Sequence, residues 1–329
     1  MRILVTGGAG FVGANLVQKL QATRPDADIT VVDDFRSGSF TNLSHESEHA
    51  ALNFSYTGRL IARSLNDLDL EALIDELDPE IVFHEASITD TRVTDQAKMI
   101  ADNVEPFEML LQLAIERGYK LVWASSAATY GQQANGAANQ RRPFKLEDAG
   151  QPANVYGFSK WLMENLHRQA QRDHPEAHLV GLRYFNVFGP GEAHKGPIAS
   201  MTYQLAQQML EGKRPRIFHD GEQARDQVYV RDVVDCTIAA ADDHAKSGIY
   251  NLGSGTTTTF NQIVAALNEA FGTDLAPEYF QNPFPFYQDF TCADLTETER
   301  GLNWSPQYTP HAAILEYARL LKPTQPAIA

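Results

Sequence analysis

Tyr156 and Lys160 stand four residues apart in N-V-Y-G-F-S-K (154–160), a spacing that stacks both side chains on one helix face. A free phenol, with a pKa of about 10, is a poor base at neutral pH. A neighbouring ammonium favours the phenolate, so the pair can move a proton on or off a carbinol while another group moves a hydride. Such a pair also arises by chance in many chains. Its weight depends on what precedes it.

What precedes it is T-G-G-A-G-F-V-G (6–13), with Gly7, Gly10 and Gly13 evenly spaced between an apolar strand and a helix. These glycines permit a tight turn, close backbone approach to a pyrophosphate, and close helix–sheet packing. The pyrophosphate would rest at the positive end of the helix. About twenty residues on, V-V-D-D ends with Asp33 and Asp34, an acidic site for an adenosine ribose. Asp34 opposes a 2′-phosphate, which points to NAD; Arg36, Arg59 or Arg63 are the residues able to serve NADP instead.

The elements that must position these groups alternate. Strands are expected at 2–6, 28–33, 80–84, 120–125 and 178–187, with helices near 12–22, 68–77 and 100–118. This rhythm predicts an α/β fold, a Rossmann-type doubly wound parallel sheet. Beyond Gly189 the pattern loosens into a helix near 198–211, a return strand at 226–230, a helix near 231–243, a strand at 248–253 and a last clear helix at 260–271. A Pro- and aromatic-rich tail follows. Residues 131–145 read as an exposed loop. The organisation expected is a dinucleotide-binding domain of residues 1–183 plus about 226–253. A smaller carboxy-terminal substrate lobe takes 184–225 plus about 254–329.

Composition narrows the class. A chain of 329 residues that is 43% hydrophobic can bury a large core. The net charge of −15 is the wrong sign for a nucleic-acid binder, so a phosphorylated substrate needs local cations. The two cysteines, Cys236 and Cys292, form no metal spacing or disulfide framework, which suits a reducing cytoplasm. No apolar run reaches the roughly 18 residues of a membrane span.

With the glycine turn, Ser126 in A-S-S-A-A-T-Y-G (124–131), and Tyr156-x-x-x-Lys160 in this order, the chain resembles the extended short-chain dehydrogenase/reductase superfamily over nearly its full length. That resemblance makes Ser126 the donor to the reacting oxygen. Sugar-nucleotide dehydratases of the superfamily carry an Asp-Glu pair where this chain has Ala127 and Ala128, so elimination lacks its acid and base. Further matches at F-H-E-A-S (83–87) and L-R-Y-F-N-V-F-G-P-G-E-A-H-K-G (182–196) resemble the ADP-L-glycero-D-manno-heptose 6-epimerase family. The resemblance implies a cytoplasmic, homo-oligomeric nucleotide-sugar epimerase that serves lipopolysaccharide core biosynthesis and inverts C6 by transient oxidation.

It also implies residue roles. Lys195, which as a bare loop lysine would read as solvated, becomes a second active-site base. Phe11, Val12, Glu85, Ala86, Ser87 and Asn103 would line the cofactor site, together with Gly7, Gly10, Gly13, Asp33, Asp34, Tyr156 and Lys160. Asn186, Val187, Gln204, Phe218, Arg225 and Tyr287 would meet the substrate beside Ser126 and Lys195. The chain departs from the family pattern at Pro197 and Gln204, and it lacks a lysine after the second strand. Three other readings stay open: an epimerase of another sugar nucleotide, such as a UDP-hexose 4-epimerase, a net NAD(P)-dependent oxidoreductase, and a non-catalytic dinucleotide-binding scaffold.

Overall fold

The computed structural model describes residues 1–44, 54–135, 141–281 and 289–322. Strands β1 (Arg2–Thr6), β2 (Asp28–Val32), β3 (Arg59–Ile61), β4 (Ile81–His84), β5 (Lys120–Ser126), β6 (Leu179–Tyr184) and, later in the chain, β10 (Gly248–Leu252) form one parallel sheet. Its order is β10-β6-β5-β4-β1-β2-β3. Apolar side chains cover both faces, because a parallel sheet is buried on each side. Ile3 and Val5 point into one core with Val31 and Phe83, while Leu4 points into the other with Val82 and Trp123. The doubly wound expectation holds.

Helix α1 (Phe11–Thr23) covers the first face. On the second lie α2 (Leu70–Leu77), α3 (Gln96–Asn103), α4 (Glu105–Arg117) and α5 (Val155–Asp173). The helix expected over 100–118 is two helices. Pro106 has no N–H to continue the ladder from the preceding turn, so α3 stops at Asn103 and α4 restarts. Gly118, at φ 77°, then ends α4.

The strand expected over 178–187 also divides. After Tyr184 the chain leaves the large sheet; Phe185 N–H donates to the Leu252 carbonyl at 3.0 Å, and β7 (Asn186–Phe188) begins a second sheet. Helix α6 (Met201–Leu210) and strand β8 (Arg216–Phe218) follow. Then β9 (Ala224–Tyr229) pairs with β7 and with β11 (Thr257–Thr259). Helix α7 (Val230–Ala239) returns to pack on α1.

Helix α8 (Phe260–Phe271) and strand β12 (Glu278–Phe280) precede two helices in the tail that sequence reading left unassigned, α9 (Thr296–Leu302) and α10 (Pro310–Leu321). Thr309 caps α10 by accepting from Ala312 N–H, with Pro310 in its first turn. The segment read as an exposed loop is partly core: Gly131 and Phe144 are buried, and Phe144 bridges to Ala293. Among the described residues, no helix is long and apolar enough to cross a membrane, and no group of His, Cys, Asp and Glu is placed to hold a metal ion.

Candidate active site

The sheet order reverses direction between β1 and β4, and segments leaving their carboxyl ends diverge there to open a cleft. Its inner part, about 720 Å³, is lined by Gly7, Gly10–Gly13, Glu85, Ser126, Tyr156, Asn186, Val187, Lys195 and Arg225. The outer part, about 510 Å³, runs past Asp33, Asp34, Arg63, Ala86 and Ser87. Gly7, Gly10 and Glu85 border both.

The glycine turn is built for close approach. Gly7 has φ 72°, and a Cβ there would stand 2.6 Å from the Ala86 backbone nitrogen. A Cβ on Gly13 would fall on the Gly7 carbonyl oxygen. Gly10 caps α1 without a side-chain hydrogen bond, and no acid stands in the first turn, so the helix's leading N–H groups face the cleft for an anion. Ser87 Oγ is buried and has no partner among the described residues. These features fit a dinucleotide. Gly13→Ala should therefore weaken NAD binding by about ten- to a hundredfold, the equivalent of about 1–3 kcal/mol of overpacking. Fluorescence titration measures it, and wild-type affinity would count against the fit.

The two acids after β2 divide their work. Asp33 accepts from Ala9 N–H at 2.9 Å and Phe35 N–H at 2.8 Å, tying the glycine turn to the strand end. Asp34 is exposed and pairs with Arg36 at 2.7 Å. Arg36 also pairs with Asp102, so two carboxylates engage its charge, and Arg59 pairs with Glu76 at 2.6 Å. Neither arginine is left to serve a 2′-phosphate freely. Arg63 stays at the wall of the outer cleft.

Asn154 accepts from Gly157 N–H at 2.8 Å and so fixes where α5 starts, with Tyr156 in its first turn and Lys160 one turn on. Lys160 donates to the Ala124 carbonyl at 2.7 Å, and its Nζ lies 6.0 Å from the Tyr156 ring centre. Ser126 and Tyr156 line the same inner cleft. The expected lowering of the phenol is not what the structure shows. Burial raises Tyr156, nearby Ser126 opposes it, and Glu85 raises it further. Burial also brings Lys160 down to about 7, partly offset by Glu85, which weakens it as a fixed cation.

Lys195 sits on the tight turn Ala193–Ile198. The buried Glu192 anchors that turn by accepting from Gly189 N–H at 3.0 Å, and from Ser200 N–H and Oγ at 2.6 and 2.9 Å. Lys195 Nζ lies 5.3 Å from the Phe11 ring centre, and burial lowers its pKa against the pull of Glu192. A depressed ammonium exchanges protons more readily near neutrality.

Of the other expected residues, Asn103, Gln204 and Phe218 fall behind the cleft, while Asn186 and Arg225 line it. Asn103 is buried; it accepts from Ile88 N–H at 2.7 Å and donates to the Ile88 carbonyl at 3.1 Å, shaping the segment that lines the outer cleft. Gln204 donates to the Ala199 carbonyl at 2.8 Å and supports the Lys195 turn rather than lining the cleft. Phe218 packs edge-on against Phe280, away from the inner lining. Asn186 accepts from Thr291 Oγ1 at 3.2 Å. Arg225 is buried and donates to the Ala224 carbonyl at 3.3 Å. Tyr287 lies outside the described residues.

Sequence reading missed Asn42 and His194. Asn42 Nδ2 donates to the Ala9 carbonyl and meets His194 Nδ1, each at 3.0 Å, joining the glycine turn to the Lys195 turn. Asn15 adds a second tie, donating to the Pro190 carbonyl at 2.9 Å. The adjacency of His194 to Lys195 was the one available signal.

A family model described as the NAD dependent epimerase/dehydratase family matches residues 3–253. The chain is 34% identical over 327 residues to ADP-L-glycero-D-manno-heptose-6-epimerase of Brachyspira hyodysenteriae, covering 97% of this chain and 98% of that one. The solved ADP-L-glycero-D-manno-heptose-6-epimerase of Helicobacter pylori is similar with a TM-score of 0.82 and 34% identity, over 96% of this chain and 94% of that one. UDP-glucose 4-epimerase of Thermotoga maritima with UDP-glucose gives a TM-score of 0.81 at 29% identity, over 97% and 98%.

Proposed function

The chain belongs to the NAD dependent epimerase/dehydratase family, and from that premise we propose that it inverts C6 of ADP-glycero-manno-heptose. One observation carries the reading. Tyr156, Ser126 and Lys195 line a single cleft, while Ala127 and Ala128 stand where elimination would need an acid and a base. A carbinol C–H far from any carbonyl is too weakly acidic for a side chain to ionise directly.

Gly7, Gly10, Gly13, Asp33, Asp34 and Ser87 would hold NAD, which when bound supplies the two-electron oxidation and re-reduction of the carbinol carbon. As the phenolate, Tyr156 takes the hydroxyl proton while Ser126 donates a hydrogen bond to the same oxygen; the positive charge that NAD would bring into the cleft favours that phenolate against the effect of burial. The flat ketone has lost its configuration. Once it turns over, its oxygen lies elsewhere, and Lys195 supplies the proton there. Arg225 holds the substrate's pyrophosphate while the sugar end moves. The reading carries with it a cytoplasmic location and a homo-oligomeric assembly, supported by the resemblance to the heptose epimerases.

Incubation with ADP-D-glycero-D-manno-heptose and no added NAD should convert C6, followed by NMR. The higher identity to heptose epimerases than to the UDP-glucose 4-epimerase favours that substrate. Turnover of UDP-glucose with none of the heptose would overturn it.

A further inference from the structure

Gln227 on β9 lines the inner cleft, and the reaction described above gives it no task. Strand β9 pairs in parallel with β7, Asn186 opposite Gln227 and Phe188 opposite Tyr229. The Phe188 and Tyr229 rings meet on one face of this pair, their centres 5.6 Å apart. Side chains two residues apart on a strand share a face. That face therefore carries Asn186, Gln227 and Arg225, and all three line the inner cleft. The intervening Asp226 turns the other way, accepting from Ser254 N–H and Oγ, Gly255 N–H and Ala293 N–H.

Polar neighbours on this side of the cleft have protein partners. Tyr184 donates its hydroxyl to Glu85 Oε1 at 2.8 Å, and Asn186 is held by Thr291. Gln227 is only 4% exposed, yet its carboxamide has no hydrogen-bond partner among the described residues. Nor is that carboxamide sealed away with the buried unpaired atoms, so its small exposed area opens on the cleft. Water satisfies it only until a substrate fills the space. That substrate must replace the bonds or leave a buried amide unpaired. Strand register fixes which part of the substrate stands there. Tyr184 on β6 pairs with Ser126 on β5, and two residues further the chain reaches Asn186, opposite Gln227. Gln227 thus lies on the side of the cleft where Ser126 acts. A carboxamide both donates and accepts, as an alcohol does, whereas an ionised phosphoryl oxygen only accepts. We infer that Gln227 is a specificity-determining residue: its carboxamide hydrogen-bonds a hydroxyl of the sugar, while Arg225 on the same face takes the diphosphate. This assignment rests on the nucleotide-sugar reading of the cleft.

The test adds Gln227→Met to NAD-loaded enzyme carrying Tyr156→Phe, which prevents turnover. ADP and ADP-D-glycero-D-manno-heptose are each titrated calorimetrically into the parent and the variant. Methionine keeps an unbranched stem of similar length and removes both donor and acceptor. Affinity for the ADP-sugar should fall about tenfold, while that for ADP, which lacks the sugar, stays unchanged. A merely structural role would weaken both ligands together. Equal loss of both, or loss of neither, overturns the inference. If Gln227→Met does not fold, Gln227→Leu is judged by the same ratio of affinities. A Tyr156→Phe parent that binds NAD but neither ligand overturns the nucleotide-sugar reading beneath it.

Discussion

Lys195→Met should yield a folded protein that binds NAD and oxidises its sugar in a single turnover, yet inverts it about 10²–10⁴-fold more slowly. That range is what one positioned acid or base contributes. Methionine retains an unbranched stem beside Phe11 and removes the ammonium that lies 5.3 Å from its ring centre. Reduced-cofactor absorbance follows the half-reaction that Tyr156 serves, and NMR at C6 follows net inversion. The two readouts must separate. Inversion at the wild-type rate, or equal loss of both through unfolding, would remove Lys195 from the mechanism. Tyr156→Phe supplies the contrast, since it should abolish the half-reaction as well.

The largest stability effect is expected at Glu164. It is fully buried, and it accepts from Ser125 Oγ, from Arg183 Nε and Nη2, each at 2.7 Å, and from Arg168 at 2.6 Å. Arg183 is 1% exposed and also donates to Tyr130 Oη and the Leu146 carbonyl, both at 2.9 Å. Glu164→Ala leaves that guanidinium uncompensated, which should destabilise the fold by about 3–5 kcal/mol. Thermal melting should fall by roughly 10 °C. Replacing both partners, Glu164→Leu with Arg183→Met, should recover much of the loss, because a well-packed apolar pair is often no worse than a buried ion pair. A single variant with unchanged melting would refute the assignment.

The pH dependence of that contribution has a definite sign. Burial raises the Glu164 carboxyl, but the hydrogen bonds and charge of Arg183, with help from Ser125 and Arg168, hold it below the ordinary 4.5. A carboxyl depressed by folding stabilises above its unfolded value and loses that contribution as pH falls through the folded one. Wild-type melting should therefore drop on acidification below about 4.5, and Glu164→Ala should blunt the drop.

The network also shows which parts of this enzyme were legible in one dimension. The glycine turn, Tyr156 and Lys160 were readable because local spacing carries their meaning. Strand β3 escaped notice because its three residues lie at the sheet edge and are mostly exposed, leaving no buried run to read. The division at Phe185 is invisible in a continuous L-V-G-L-R-Y-F-N-V, since it depends on pairing with Leu252. Helix α10 announced itself through Thr309-Pro310 and was passed over inside a proline-rich tail. Lys195 stood out only by resemblance; its ammonium lies by Phe11, on a helix 184 residues earlier in the chain. The ties of Glu85 to Tyr184 and of Asn42 to His194 span 99 and 152 residues, beyond any spacing rule.

Asn42 grips the Ala9 carbonyl and His194 at once, and Asn15 on the first helix grips Pro190. The turn bearing Lys195 is thereby hung from the nucleotide-binding loop. If that joint couples the two sites, linkage requires the dependence to be reciprocal. Whatever bound dinucleotide adds to the ordering of the Lys195 turn, a seated sugar returns as tighter retention of the dinucleotide. A catalyst that must regenerate its own oxidant within each cycle would gain from that symmetry, since reduced cofactor must not escape while substrate is seated.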